Sequence, residues 1–151
     1  MNPTLKTVPA MLLFCVSEEV TPEEIAPFAQ RAVEPLFNAL AKSGRKPAGN
    51  LEFICPEWIG PEAKNKIVFG IPVASEFPTE APYYFWKAPA FKCASTEYKG
   101  PMSGIKDAWM NFGTEVGNAG HQAVNSWREV YLHWVAPESE EDVTELQLGI
   151  E

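Results

Sequence analysis

The sequence is short of the features that mark several large classes of protein. Its 151 residues carry 12 lysine and arginine residues against 20 aspartate and glutamate residues, and the basic residues are not clustered. Binding of nucleic acid through its phosphates needs such clusters, so we predict no direct nucleic-acid binding. No apolar run approaches the roughly 20 residues of a membrane-spanning helix, so no membrane association is predicted.

Cysteine and histidine are too few for a disulfide framework or a metal site. Cys15, Cys55 and Cys93 form an odd set without a Cys-x-x-Cys pair, which favours buried thiols in a cytoplasmic protein. His121 and His133 have no matching cysteine or aspartate spacing, so no metal is predicted. No cofactor is predicted either, because phosphate-binding glycine loops are absent and a haem site would have only His133 in its favour.

The chain contains the same order of predicted elements twice. The first half, about residues 8–75, predicts strand 11–17, helix 21–43, and strands 51–55 and 66–73. The second half, about residues 83–151, predicts strand 91–97, helix 102–119, and strands 127–134 and 143–150. Glu52 aligns with Glu129 in this repeat. A repeat of this length indicates one supersecondary unit built twice.

We therefore expect an α+β fold of two tandem βαββ modules related by a pseudo-two-fold axis. Both helices should lie on one face of an antiparallel sheet, and the opposite face should form a central ligand groove. The first helix has clear start signals, with Thr21 as N-cap and Glu24 completing a capping box, while Pro35 should kink or split it. Residues 74–90 form the crossover between the halves. A monomer is expected, because the halves satisfy each other's sheet edges and the net charge is −8.

Alternation with a period of two assigns the faces of the strands. In strand 127–134, Val130 and Leu132 alternate with Glu129 and Tyr131. The aliphatic residues should meet the helices, so Glu129 and Tyr131 should face the groove. The same alternation places Glu145 of the next strand in the groove as a second carboxylate.

Glu129 is the central candidate for function. A carboxylate in mid-strand among aromatic residues is costly to bury unless it is bonded or paired. If it stays charged, it offers a counter-ion to a cationic aromatic ligand. If burial raises its pKa, it becomes a candidate general acid or base, with Tyr131 and Glu145 as the other catalytic candidates. The alternative is a solvated edge residue paired with Arg128 or Lys66.

Aromatic residues supply candidate walls for a ligand pocket, since apolar sites favour aromatic walls with few polar groups. The candidates are Tyr83, Trp86, Trp109, Tyr131 and Trp134. Trp109 falls in the apolar stripe of the second helix, where a core position explains it equally well. Tyr83 and Trp86 lie outside any clear periodic pattern, which favours a role in the pocket.

Three short motifs of the second half resemble a known family. They are Tyr98-Lys99-Gly100-Pro101, Arg128-Glu129-Val130-Tyr131 and Thr144-Glu145. In their order and spacing, residues 91–150 are similar to the GyrI-like small-molecule-binding domain, the effector-binding domain of AraC- and MerR-type transcription activators. The match is weaker over 1–75, where Val20-Thr21-Pro22 replaces the usual Gly-Pro at the helix entry. No helix-turn-helix segment precedes residue 11, so the chain resembles a stand-alone member.

The resemblance implies a groove for hydrophobic, often cationic, molecules, and it places Glu129 at the position of the family's recognition glutamate. It leaves three functions open. The first is a multidrug- or toxin-binding protein without turnover. The second is a hydrolase that detoxifies cyclopropane-bearing, DNA-alkylating natural products. The third is a protein module that binds and inhibits DNA gyrase.

Overall fold

Eight strands and two α-helices account for most of residues 3–151. In the computed structural model, which describes residues 3–151, the strands form one antiparallel sheet, so the predicted α+β class is confirmed. The strands are β1 Thr4–Val8, β2 Met11–Val20, β3 Glu52–Cys55, β4 Asn65–Pro72, β5 Tyr84–Ala88, β6 Phe91–Lys99, β7 Ala123–His133 and β8 Val143–Ile150. The helices are α1 Ile25–Lys42 and α2 Ile105–Asn118.

The strand order of the sheet is β1-β6-β8-β7-β3-β4-β2-β5. The lateral order is the same in both halves. Counted toward the centre of the sheet, the second half contributes β6, β8 and β7, and the first half contributes β2, β4 and β3. The central pair, β7 and β3, joins the halves into one sheet. This order is the one that two equal βαββ units would give, and the two-fold axis itself stays a prediction.

Two edge strands extend the predicted units. β1 pairs with β6 at one edge, and β5 pairs with β2 at the other. β5 lies inside the segment 74–90, which the sequence predicts only as a crossover. Its residues Tyr84-Phe85-Trp86 suit a strand because aromatic side chains pack well on a pleated surface, but the flanking prolines hide the pattern.

The sheet is rolled across the face that carries no helices. β5 and β6 stand six strand positions apart in the sheet, about 29 Å if it were flat. Only Pro89 and Ala90 join them, and the three peptide steps from Ala88 to Phe91 span at most about 11 Å. Arg128 of β7 donates a hydrogen bond across this face to the Pro89 carbonyl at 3.3 Å. We refer to this concave surface, which includes Leu13, Cys15, Ile54, Val68 and Arg128, as the rolled interior.

Helix α1 starts as the sequence predicts. The backbone N–H of Thr21 donates to Glu24 Oε1 at 2.9 Å, which forms one half of a capping box before a short 3-10 turn leads into the helix. Pro35 lies inside α1 and does not split it. The buried face of α1 is Phe28, Ala32, Leu36 and Leu40. Among residues 3–151, no helix is both long and apolar enough to cross a bilayer.

The face prediction for β7 is wrong. Trp109 of α2 donates through Nε1 to Glu129 Oε2 at 2.7 Å, so Glu129 faces the helices. Tyr131, two residues further on, lies on the same face, and Val130 points into the rolled interior. The prediction failed because it assigned the aliphatic residues of β7 to the helix side, whereas the surface beneath the helices is aromatic at this point.

This result also removes one support of the repeat. A two-fold axis normal to a sheet keeps each residue on its own face. Glu129 faces the helices, while Glu52, paired with Val130, faces the rolled interior. The two glutamates therefore do not occupy equivalent positions of the repeat. Aligning them shifts one strand by one residue relative to the other, and such a shift exchanges the two faces of a strand.

Candidate ligand-binding cavity

A cavity of about 1260 Å³ opens between α1 and α2, above the centre of the sheet. Drug-sized ligands occupy cavities of about 300–1000 Å³, so this one has room for such a molecule. The predicted groove was placed on the opposite face, and that placement is wrong. Residues that line the cavity include Ile25, Ala29, Val33, Phe53, Trp58, Phe69, Ile105, Trp109, Trp127, Glu129, Tyr131 and Trp134.

The cavity exists because each helix packs on its own half of the sheet. The buried face of α1 packs against Phe69 and Ile71 of the first half. The buried residues of α2, Phe112 and Val116, pack against Leu146 of the second half. The central strands β3 and β7 therefore lie beneath the gap between the helices.

Glu129 forms the polar base of this cavity. It is 5% exposed, and its two carboxylate oxygens accept hydrogen bonds from Trp109 Nε1 at 2.7 Å and from the Tyr131 hydroxyl at 2.9 Å. Among residues 3–151, no lysine, arginine or histidine forms an ion pair with it. Burial raises the pKa of Glu129, and the two hydrogen bonds oppose that rise.

Tyr131 stays protonated at neutral pH. Burial raises the pKa of its hydroxyl well above 10, and the neighbouring charge of Glu129 adds to the rise. The hydroxyl therefore keeps its proton and donates it to Glu129 Oε1. When Glu129 is ionised, its carboxylate is held between two neutral donors.

An aromatic wall surrounds Glu129, and sequence reasoning selected only part of it. Trp127 stacks on Phe53 with ring centroids 5.1 Å apart and contacts the rings of Trp109 at 5.3 Å and Trp58 at 6.2 Å. Neither Trp58 nor Trp127 was selected as a ligand-binding residue. For Trp127 the signal was present, because a residue two positions before Glu129 on a strand shares its face.

The structure brings four of the predicted site residues together. Glu129, Trp109, Tyr131 and Trp134 all line the cavity. Trp134 lies at the rim, where it is 47% exposed and its ring centroid is 5.7 Å from that of Tyr131. The roles of these four residues in binding remain predictions.

The other three predicted site residues lie elsewhere. Tyr83 packs on Phe14 with ring centroids 5.5 Å apart, and Trp86 pairs with Leu13 at the edge of the sheet. Glu145 faces the rolled interior, where it pairs with Lys6 at 2.5 Å. Their predicted place in the groove is wrong because β5 adds to β2, far from the centre, and because Glu129 and Glu145 point to opposite faces.

Residues 3–151 contain no group of three or more His, Cys, Asp or Glu side chains placed to hold a metal ion. His133, on which a haem site would depend, lines the cavity as a single exposed imidazole. All three cysteines are buried, as predicted.

Two loops border the cavity, and a buried polar side chain organises each of them. Asn65 Oδ1 accepts a hydrogen bond from Ile59 N at 2.6 Å, and its Nδ2 donates to Gly60 O at 2.9 Å, which fixes the loop that carries Trp58. Asp142 Oδ1 accepts from Val135 N at 2.7 Å beside Trp134.

We expect Asn65→Ala to lower the free energy of unfolding by about 1–3 kcal/mol, because it removes the hydrogen bonds of a buried side chain to Ile59 N and Gly60 O. The loss should appear in urea unfolding. Asn125→Ala is the matched control, since Asn125 is exposed on β7, and it should change stability by no more than about 0.5 kcal/mol. Equal stabilities of the two variants would show that Asn65 does not hold the loop.

Solved structures share this fold. The crystal structure of the EcmrR C-terminal domain aligns with a TM-score of 0.82 at 20% identity, covering 99% of this chain and 97% of that one. In the cryo-EM structure of the EcmrR–DNA complex, the chain spans only 57% of the EcmrR chain. No protein-family model and no curated protein sequence matches the chain.

Two further structures are similar. SAV2435, solved bound to tetraphenylphosphonium, aligns with a TM-score of 0.72 at 15% identity, covering 100% of this chain and 94% of that one. A hydrolase encoded by lin2189 from Listeria innocua aligns with a TM-score of 0.60 at 16% identity, with coverages of 99% and 92%. The resemblance to the GyrI-like small-molecule-binding domain is thus confirmed at the level of the fold.

Proposed function

We propose that this chain is a small-molecule-binding protein that captures hydrophobic cations in the cavity between α1 and α2, as a multidrug- or toxin-binding protein would. The observation that carries the proposal is the carboxylate of Glu129, which is buried at the base of an aromatic cavity and has no basic partner among residues 3–151. Such a group is costly unless it is paired. A bound cation supplies the missing charge.

The walls of the cavity favour the same ligands. Cations are attracted to the faces of tryptophan and tyrosine rings, by about 2 kcal/mol or more in a desolvated site. Trp109, Trp127 and Tyr131 stand around Glu129 and offer such rings. The binding of tetraphenylphosphonium by SAV2435, a protein of the same fold, supports this choice of ligand class.

Glu129→Gln tests the proposal. The amide keeps the size of the side chain and removes the charge, so the affinity for tetraphenylphosphonium should fall by about 1.5–3 kcal/mol, the range for hydrogen bonds to charged groups. Isothermal titration calorimetry measures the change. Tetraphenylborate, which has the same shape and the opposite charge, should bind the wild-type protein more weakly than tetraphenylphosphonium. In Glu129→Gln, the difference in affinity between the two ions should be smaller.

Glu140→Gln is the matched control, because Glu140 is an exposed residue of the β7–β8 loop. It removes the same charge from the protein without touching the cavity, so the affinity should not change. If Glu129→Gln and Glu140→Gln bind tetraphenylphosphonium equally well, the carboxylate of Glu129 does not recognise the cation and the proposal fails.

Hydrolysis is a second candidate function. The hydrogen bond between Tyr131 and Glu129 places a proton donor beside a carboxylate within the cavity, and one protein of the same fold is a hydrolase. In this case Glu129 would activate water against a reactive electrophile such as a cyclopropane-bearing alkylating agent. Glu129→Gln would then leave ligand affinity near normal and lower turnover by about two to four orders of magnitude, measured by mass spectrometry of the product. Binding to DNA gyrase, the monomeric state and the cytoplasmic location rest on the sequence alone.

A further inference from the structure

We infer that a proton neutralises Glu129 in the empty cavity and that capture of a permanently charged hydrophobic cation releases this proton to the solvent, one for one. The inference rests on the proposed function, since it describes how the same site exchanges one positive charge for another. It concerns the empty cavity as well as the occupied one, and it is therefore testable separately from binding itself.

The geometry around Glu129 provides hydrogen bonds but no charge. Its carboxylate is 5% exposed, and the groups that donate to it, Trp109 Nε1 and the Tyr131 hydroxyl, are both neutral. Neutral donors offset only part of the cost of removing a carboxylate from water. A proton removes the remaining cost, and the raised pKa of Glu129, caused mainly by burial, agrees with this view.

Among residues 3–151, no other charged group that lines the cavity pairs with Glu129. The 3-10 turn before α1 contributes Glu23, α2 contributes Lys106, and β7 contributes His133. All three are exposed, and none of the basic ones pairs with Glu129. The residues from β3, β4 and β8 that line the cavity are the apolar Phe53, Phe69 and Leu148. Arg128, the neighbour of Glu129 in sequence, points into the rolled interior.

The exchange has a defined balance. The protonated carboxyl group of Glu129 loses its proton to the buffer, and the resulting carboxylate becomes the counter-ion of the bound cation. No bond of the ligand is formed or broken. While Glu129 is protonated in the empty protein, the affinity for the cation should therefore rise by up to about tenfold for each unit of pH. A neutral ligand, which needs no counter-ion, should release no proton.

The test is a count of released protons. Tetraphenylphosphonium is titrated into the protein by calorimetry in pairs of buffers that differ in ionisation enthalpy, at several pH values from about 5 to about 9. The number of protons released per bound cation should be largest at the acidic end and should fall toward zero as the pH rises through the raised pKa of Glu129. Binding with no proton released at any pH overturns the inference and leaves the proposed function intact, whereas a complete lack of binding overturns both.

Two variants assign the proton. Glu140→Gln should keep the wild-type count, because the mutated residue is exposed and outside the cavity. Glu129→Gln should release none while binding more weakly, and release that persists in this variant assigns the proton to another group and overturns the inference. If Glu129→Gln does not fold, infrared difference spectroscopy of the wild-type protein replaces it. The band of a protonated carboxyl group should disappear when tetraphenylphosphonium binds at acidic pH, and an unchanged spectrum refutes the exchange.

Discussion

Arg128→Met is expected to lower the free energy of unfolding by about 1–3 kcal/mol at about pH 8, because it leaves the Pro89 carbonyl without its donor and the buried Glu52 without the positive charge that favours its ionised form. Arg128 is 2% exposed in the rolled interior. Its guanidinium carbon lies 4.2 Å from the centroid of Phe91, and its Nη2 donates to the Pro89 carbonyl at 3.3 Å. Its charge also lowers the pKa of the buried Glu52. The substitution removes all three interactions, and urea unfolding measures the loss.

Two controls separate the lost charge from the lost packing. The double variant Glu52→Leu with Arg128→Met replaces both charges with apolar side chains, so it should recover most of the stability. Arg31→Met removes an exposed arginine that pairs with Glu18 at 2.6 Å, and it should cost at most about 1 kcal/mol. A double variant no more stable than Arg128→Met would show that packing, not the charge of Glu52, determines the effect.

The local pattern of the sequence predicted the elements well. Ile67, Phe69 and Ile71 alternate along the predicted strand 66–73, and all three lie in the core that α1 covers. The start of α1 was predictable because the capping box of Thr21 and Glu24 acts within one turn. These features depend on neighbours along the chain, so the sequence shows them directly.

Glu129 lines the cavity, as the sequence predicted, only because two errors in the prediction compensate. Glu129 was expected on the face without helices, and the groove was expected there too. Both lie on the other face, so Glu129 does line the cavity. The error arose because alternation shows that Glu129 and Val130 face opposite ways but does not show which of them meets the helices. That choice depends on the packing of α2, in particular on the Trp109 hydrogen bond.

Long-range pairing limited the rest of the prediction. Tyr83 and Trp86 were predicted to line the pocket because nothing near them in the sequence shows that β5 pairs with the edge of β2. The rolled interior was also not predicted, since its closure follows from the short link between β5 and β6, two strands that are distant in the sheet. Only this closure makes Glu52 a buried residue, at 4% exposure.

Burial of Glu52 gives the protein a dependence of stability on pH that Glu52→Gln should remove. Burial raises the pKa of Glu52 from 4.5 to about 7, and the charge of Arg128 opposes the rise. The folded state thus holds this proton more tightly than the unfolded chain does. The stability contributed by the proton is present below about pH 4.5 and is lost as the pH rises to about 7, a total of about 3 kcal/mol.

Glutamine resembles the protonated side chain at every pH. The difference in unfolding free energy between Glu52→Gln and the wild-type protein should therefore shift by about 3 kcal/mol in favour of the variant between about pH 4.5 and about pH 8. Urea unfolding at the two pH values measures the shift. Glu129, whose pKa burial also raises, contributes equally to both proteins and cancels. A difference that stays constant between the two pH values would mean that Glu52 titrates normally in the folded protein, and that water reaches the rolled interior.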